Sequence, residues 1–466
     1  MNLEPLRHVL ESMADKPERL IALILQQAER ISELTAEVEQ CDVRMKDLEG
    51  KLHEAQKEAK RQAAPFRRPE HKRSSSPKRP GRKPGHKGHY RKVPDRDPDE
   101  CIDQPLEQCP RCAHDLSAQS HRPIVQHILE IPKLVPRLIR LTTYECDCPG
   151  CGQAVQSQHP LKVSEATGAA GTHLGARALS MAAALNKEMG LTMRKTCRIF
   201  DEFFGLPLTP GGLSQALDRI AHKMQSAYEE LPDRLRQAPV VHVDETSWWM
   251  GGDSWWLHVF ATADTTAYRL ADNRSREVLH DMLGKDFPGV LVSDCLNIYD
   301  DATERQHKCY CHHYEAIKKA VKLHPLNGQG FLSECRCLLD AARAVKTSKT
   351  DMSSSAYERN RKILGGLASE LLDQPRELDC EERVRKRLAK QADHLFTFLD
   401  YDFVDATNNL AERQLRPAVI ARKLSCGNKT ERGANTWQTL TSLAATCRQR
   451  GQPFLDTVAA AMPVSR

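Results

Sequence analysis

The sequence predicts a multidomain α+β protein, and three observations carry that prediction. A seven-residue apolar beat runs from Leu20 to Ala55, two CxxC pairs frame an alternating apolar stretch between Cys109 and Cys151, and after Pro239 helical patterning gives way to short β-branched and aromatic runs. The 466 residues far exceed the usual ~100–200 of one domain, so at least one part is large enough to bury a proper core.

The first element is a coiled coil within residues 1–62. Ile24, Ile31, Val38, Met45 and Leu52 occupy one seam position, and Leu20, Leu34, Cys41, Leu48 and Ala55 the other. Gln27 alone breaks the seam, and a polar residue there fixes register, so the segment is expected to associate with a second copy. Residues 63–98 then turn to Pro, Ser, Gly, Lys and Arg, a composition that cannot bury enough apolar surface to fold alone. This is a basic arm or linker. Positions 60–92 carry thirteen Lys or Arg against the single acid Glu70; since the chain's net charge is +6, the remainder is near −6. Positive charge concentrated in this way points to a polyanion, nucleic acid first, with Arg82, Lys83 and Lys87 as phosphate contacts that add affinity without sequence specificity.

Residues 99–160 read as a zinc-ribbon-like module. Cys109-Pro110-Arg111-Cys112 and Cys148-Pro149-Gly150-Cys151 supply four thiolates, the set of a closed, structural zinc site, and the module has too little apolar mass to fold unaided. Cys101 and Cys146 are spare thiols beside the knuckles. Cys309, Cys311, His312 and His313 form a second Cys/His patch, but on a strand alternate residues face opposite ways and these ligands would scatter. Sixteen cysteines spread over a long chain, no signal-peptide pattern and no long apolar run place the protein in the cytoplasm with reduced thiols and no membrane contact.

Residues 161–236 read as helical. Thr209-Pro210 offers a helix start after the Gly205 turn, which gives a helix-turn-helix-like, DNA-binding layout from Met193 to Ile220. Residues 237–430 then hold a sheet built from Val240–Val243, Trp255–Thr262, Thr266–Leu270 and Val290–Val292, with a hairpin turn at Gly251-Gly252-Asp253 and a helix from Ser275 to Leu283. Residues 313–400 are charged and helical, an insertion between the sheet and a last helix, and 431–466 form a C-terminal helical tail. Trp248, Trp249, Trp255 and Trp256 flank the hairpin turn and are read as cross-strand packing rather than base-stacking residues.

Asp244 and Asp294 each end a strand-forming run, so they can sit side by side at the ends of adjacent strands, and Glu412 lies at a helix start in Thr407–Arg416. Three carboxylates are the minimum for a site in which hard divalent ions flank a phosphate. Arg413, Arg416, Arg422 and Lys423 follow Glu412 closely and are candidate DNA contacts.

At this point the chain resembles the insertion sequence 66 family of bacterial transposases. The likeness runs through the coiled coil, the basic arm, the paired knuckles, Val243-Asp244-Glu245-Thr246, Ser293-Asp294-Cys295 with Tyr299-Asp300, and Asn408-Asn409 with Ala411-Glu412-Arg413. It implies a ribonuclease H-like α/β catalytic core with a helical insertion, and a DDE triad in which Asp244, Asp294 and Glu412 hold two magnesium or manganese ions. Glu245, Asp300 and Asp301 are then neighbours, not ligands. It also implies metal-dependent DNA strand cleavage and strand transfer on double-stranded element ends and target, in the bacterial nucleoid, with accessory proteins of the same element. Two departures stand out: Thr407 replaces the family's Asp before the Asn pair, where it can cap the helix as Asp does, and Cys309-Tyr310-Cys311-His312 replaces a Cys-Trp-Ala-His run. The alternative reading is a catalytically inactive or repurposed zinc-containing DNA-binding protein.

Overall fold

The computed structural model describes residues 85–163 and 172–463, apart from 89, 120, 121 and 301, together with residue 30 and short stretches between 34 and 48. Most of the coiled-coil seam, the arm up to residue 84 with Arg82 and Lys83, and Asp301 therefore lie outside the described residues. Positions 34–41 and 43–45 that are described are helical, with Leu34, Val38 and Met45 exposed. The chain divides into two units, Ala64–Arg137 and a larger one that holds Leu138–Arg466.

In the smaller unit the chain is held locally by a bridge between Gln108 and Asp115 around the first CxxC turn. Beyond it, Ile124, Val125, Ile128 and Ile131 are exposed along a stretch without helix or strand.

The larger unit opens with a two-stranded ribbon, β1 (Glu145–Asp147) and β2 (Ala154–Gln156), around the second CxxC turn. Helices follow: α1 (Ala176–Ala183), α2 (Met193–Phe204), α3 (Pro210–Lys223), α4 (Gln225–Glu229) and α5 (Leu231–Arg236). Local chemistry sets the α2–α3 boundaries. Thr192 caps α2 by accepting from the Lys195 amide, Gly205 ends it at φ 61°, and Thr209 caps α3 by accepting from Gly212, with Pro210 in the first turn where its missing N–H costs nothing. The helix pair expected from the sequence is present, and α3 buries Leu213, Leu217 and Ile220 in the core.

A five-stranded mixed sheet forms the centre. Strands β3 (Val240–Met250), β4 (Asp253–Ala261) and β5 (Thr266–Ala271) make an antiparallel meander; helix α6 (Arg276–Leu283) then leads to β6 (Val290–Ser293), which returns parallel beside β3, and β7 (Gln306–Lys308) adds parallel to β6. The spatial order is β5-β4-β3-β6-β7. Alternation along the strands divides two cores: Val241, Val243 and Leu291 pack with Leu217, Leu279 and Leu440, whereas Val290 and Val292 pack with Tyr310, Leu332, Leu339 and Phe398. The second group is the helical insertion, α7 (Tyr310–Leu323), α8 (Phe331–Thr347), α9 (Ser354–Asp373), α10 (Asp379–Lys390) and α11 (Thr397–Asp400). In the β3–β4 hairpin Trp248 and Trp255 are register partners, and Trp248 stacks 4.7 Å from Trp437, so packing is what the structure shows for that pair.

The chain closes with α12 (Asn409–Ser425), α13 (Glu431–Gln449) and α14 (Phe454–Ala461). Helix α13 covers the outer edge of β5 by an unusual device. The backbone N–H groups of Thr266, Tyr268 and Leu270 donate to side chains of Thr446, Ser442 and Gln438 at 3.0, 2.8 and 3.0 Å. Four helical residues rise about 6 Å and two strand residues about 7 Å, so an i, i+4, i+8 row on the helix matches alternate strand amides and closes the edge to further pairing. Among the described residues no helix is long and apolar enough to cross a membrane.

Candidate functional site

Strand pairing brings the first two carboxylates together. β3 and β6 are parallel neighbours with His242 opposite Val292, and Asp244 and Asp294 each lie two residues further on. Contrary to the sequence expectation, Asp244 does not end its strand. The β3 run continues to Met250, because Glu245–Met250 pairs with β4 in the hairpin. Asp294 does follow the last residue of β6, and its Oδ1 accepts from the Leu296 amide at 2.9 Å, which fixes the turn after the strand.

Glu412 comes from the first turn of α12, and Asn408 places it. The buried Asn408 side chain donates to the Val243 carbonyl at 2.6 Å and accepts from His242 Nδ1 at 3.1 Å. Its backbone N–H reaches Cys309 Sγ at 3.1 Å, and its carbonyl accepts the Glu412 amide at 3.2 Å. Thr407 does not cap the helix as expected. Asn408 holds the cap position, and its side chain is turned to β3 instead of the helix end.

Asp244 responds to its surroundings. Burial raises the Asp244 carboxyl to about 7, the charge of Glu245 adds to the rise, the Glu245 backbone N–H opposes it, and the charges of Asp294 and Glu412 raise it further. A carboxyl that resists ionisation among other carboxylates is relieved by a cation, and an all-oxygen donor set of this kind fits a hard divalent ion. Glu245, by contrast, is committed elsewhere: its buried carboxylate takes the Tyr299 hydroxyl and the Arg274 guanidinium, and Arg274 stacks 4.3 Å from the Trp256 ring. Asp300 is likewise engaged, by Lys390 at 2.6 Å and Gln391 at 2.9 Å.

Beneath Asp294 lies a residue that sequence reasoning passed over. Lys308, fully buried on β7, donates to Ser293 Oγ at 3.2 Å and the Tyr299 carbonyl at 3.3 Å, bracing both ends of the loop that carries Asp294. Burial lowers it to about 8, partly offset by Asp300.

Residues 171–436 match the family model described as Transposase IS66 family. The chain belongs to the IS66 transposase family. A curated relative of this chain is an uncharacterized protein, y4qI, of Sinorhizobium fredii, 24% identical over 289 residues that make up 54% of this chain and 52% of the relative. The chain thus spans about half the length of that relative.

The other candidate residues of this IS66 family member fall into separate places. Arg413 and Arg416 are exposed on α12. Arg422 is occupied by β3, with Nη1 donating to Thr246 Oγ1 at 3.0 Å and Ser247 Oγ at 2.9 Å, while Lys423 is exposed. Lys87 is exposed in the smaller unit. The knuckles share one backbone design: Cys109 accepts the Ala113 amide and Cys148 the Gly152 amide, both at 2.8 Å, with Ala113 and Gly152 at φ 57° and 69°. In each turn two backbone N–H groups point at the first sulfur, those of Arg111 and Cys112 at Cys109 and those of Cys151 and Gly150 at Cys148, and these lower both thiols. Cys109 and Cys112 lie in the smaller unit, Cys148 and Cys151 in the larger.

The strand premise for the Cys309–His313 patch is overturned. Cys309 follows the end of β7 and the next residues are helical, so Cys309 and His312 share a face one turn apart, whereas His313 turns inward to Cys295 at 3.7 Å.

Proposed function

We propose that this chain is a DDE transposase that cleaves DNA strands at the ends of an insertion sequence and transfers them to target DNA. The observation that carries the reading is the parallel β3–β6 register, which sets Asp244 and Asp294 at matching places two residues beyond the His242–Val292 pair, with the charge of Glu412 adding to the rise of the Asp244 carboxyl. The sheet order β5-β4-β3-β6-β7, an antiparallel meander followed by two parallel strands, supports a ribonuclease H-like core, with the insertion entering between β7 and α12.

The triad would hold two magnesium or manganese ions. When bound, they polarise the scissile phosphate and activate the attacking oxygen. The chain's own residues supply the positioning: Asn408 and the β3–β6 register align the carboxylates, Lys308 braces the Asp294 loop, and Glu245 is withheld from the cation by Tyr299 and Arg274. Arg413 and Arg416, exposed within a turn of Glu412, lie where a DNA backbone entering the site would need neutralisation. Water is the first nucleophile and frees a 3′ hydroxyl, which then attacks target DNA; no covalent protein intermediate is needed.

In the same reading, zinc held by the knuckle cysteines orders the turns that carry them, and the arm and the α2–α3 pair bind the element ends. The N-terminal helices associate between copies, accessory proteins of the element assist, and the complex works in the bacterial nucleoid. The test is nicking of DNA carrying the element's ends by the full chain in magnesium or manganese. Loss of nicking in Glu412→Gln with DNA binding retained supports the reading, and equal nicking by both proteins refutes it.

A further inference from the structure

Cys309, His312 and Glu412 each offer one ligand atom, and these atoms lie within 4.8 Å of one another. The backbone builds this meeting. Cys309 and His312 are three residues apart at the start of α7, and Glu412 stands one turn into α12. The two helix starts are tied together twice, by the Asn408 N–H on Cys309 Sγ at 3.1 Å and by the Tyr310 N–H on the Ala406 carbonyl at 2.9 Å. His312 Nδ1 is shielded from solvent and has no hydrogen-bond partner, a costly state for a buried ring nitrogen that a neighbouring ligand would remedy.

A sulfur, nitrogen and carboxylate set differs in kind from the all-oxygen set of Asp244 and Asp294. Thiolate and imidazole select zinc over magnesium. Around zinc, bond lengths of about 2.0–2.3 Å put tetrahedral ligands roughly 3.3–3.8 Å apart, so side-chain shifts on the order of 1 Å close the site. Three protein ligands leave one coordination position open.

We propose that Cys309, His312 and Glu412 form a second metal site, selective for zinc-like cations, which draws Glu412 away from Asp244 and Asp294 and so opposes catalysis. Zinc forms a bond to Cys309 Sγ as the thiol proton leaves to solvent, with no change of oxidation state. The metal site stands on its own geometry; its inhibitory effect rests on the transposase reading.

The experiment uses the full chain carrying Cys109→Ser, Cys112→Ser, Cys148→Ser and Cys151→Ser, to silence both knuckles, and titrates it with cobalt(II) as a spectroscopic probe for zinc. Thiolate-to-cobalt absorption with one equivalent bound is expected, lost in His312→Gln and in Cys309→Ser and retained in Cys311→Ser. Because Cys309 is buried and its substitution can disturb folding, His312→Gln, checked by circular dichroism, is the deciding variant. Equal cobalt uptake and absorption in His312→Gln overturns the site. Separately, in the chain with its knuckles intact, zinc added to magnesium-driven nicking should inhibit the wild type at least tenfold more than His312→Gln. Equal inhibition overturns the regulatory role, whereas cobalt binding without nicking in any protein removes the transposase reading and leaves the site intact.

Discussion

Asn408 donates its side-chain amide to the carbonyl of Val243, the residue before Asp244, at 2.6 Å, and four residues later the same helix presents Glu412. One buried amide thus sets the distance between a strand carboxylate and a helix carboxylate. Asn408→Ala is expected to cost about 1–3 kcal/mol of stability, the penalty for stranding buried partners, and to lower the nicking rate on the order of a hundredfold while DNA affinity is kept. Single-turnover kinetics beside a binding assay checks this; an unchanged rate would remove Asn408 from the positioning role.

The row of side chains that α13 lays along β5 makes a second prediction. Ser442→Ala leaves the Tyr268 amide without its partner, at a cost of about 1–3 kcal/mol. Hydrogen exchange at Tyr268 should accelerate in the variant while the β3–β4 amides stay protected.

Acid should destabilise the core through His258 on β4. Burial first, and then the Arg274 charge, lower its imidazole to about 4 from the ordinary 6.5, and Nε2 has no hydrogen-bond partner. The unfolded chain therefore binds the proton more readily than the folded one between those values. Stability present above pH 6.5 is lost as pH falls toward 4. Urea unfolding at about pH 7.5 and about pH 5 should show this loss, and His258→Gln should reduce it by up to a few kcal/mol. An identical loss in the variant would place the acid sensitivity elsewhere.

The knuckle turns predict bound zinc. Chelation should open residues 99–160 to protease, and Cys148→Ser should do the same without chelator, leaving the strands of the sheet protected. A digestion pattern indifferent to chelator would contradict a structural metal there.

Much of this was legible in the sequence because it rests on local chemistry. The Gly251-Gly252 hairpin, the Thr209-Pro210 helix start, the β-branched strands and the place of Asp294 just past a strand end are all short-range signals, and the structure has each of them, whereas Asp244 sits inside a strand that the hairpin extends to Met250. Long-range partners were not legible. Nothing around Asn408 announces that its amide serves β3, 165 residues away, and Lys308 looks like any surface lysine until the fold buries it. The Cys309–His313 patch was misread because a chain that leaves a strand and enters a helix within one residue changes side-chain period from two to 3.6, and that changes which ligands meet. Likewise, the polar residues Gln438, Ser442 and Thr446 look like a solvated helix face, yet they are consumed by a strand edge.

The most direct test of the central claim is joining of DNA that carries the element's own ends to a target, in magnesium or manganese, by the full chain and by Asp294→Asn. The account predicts cation-dependent joining by the wild type and none by the variant, with equal DNA binding by both. Joining by Asp294→Asn at the wild-type rate, or binding without joining by either protein when the element's other proteins are supplied, would contradict it.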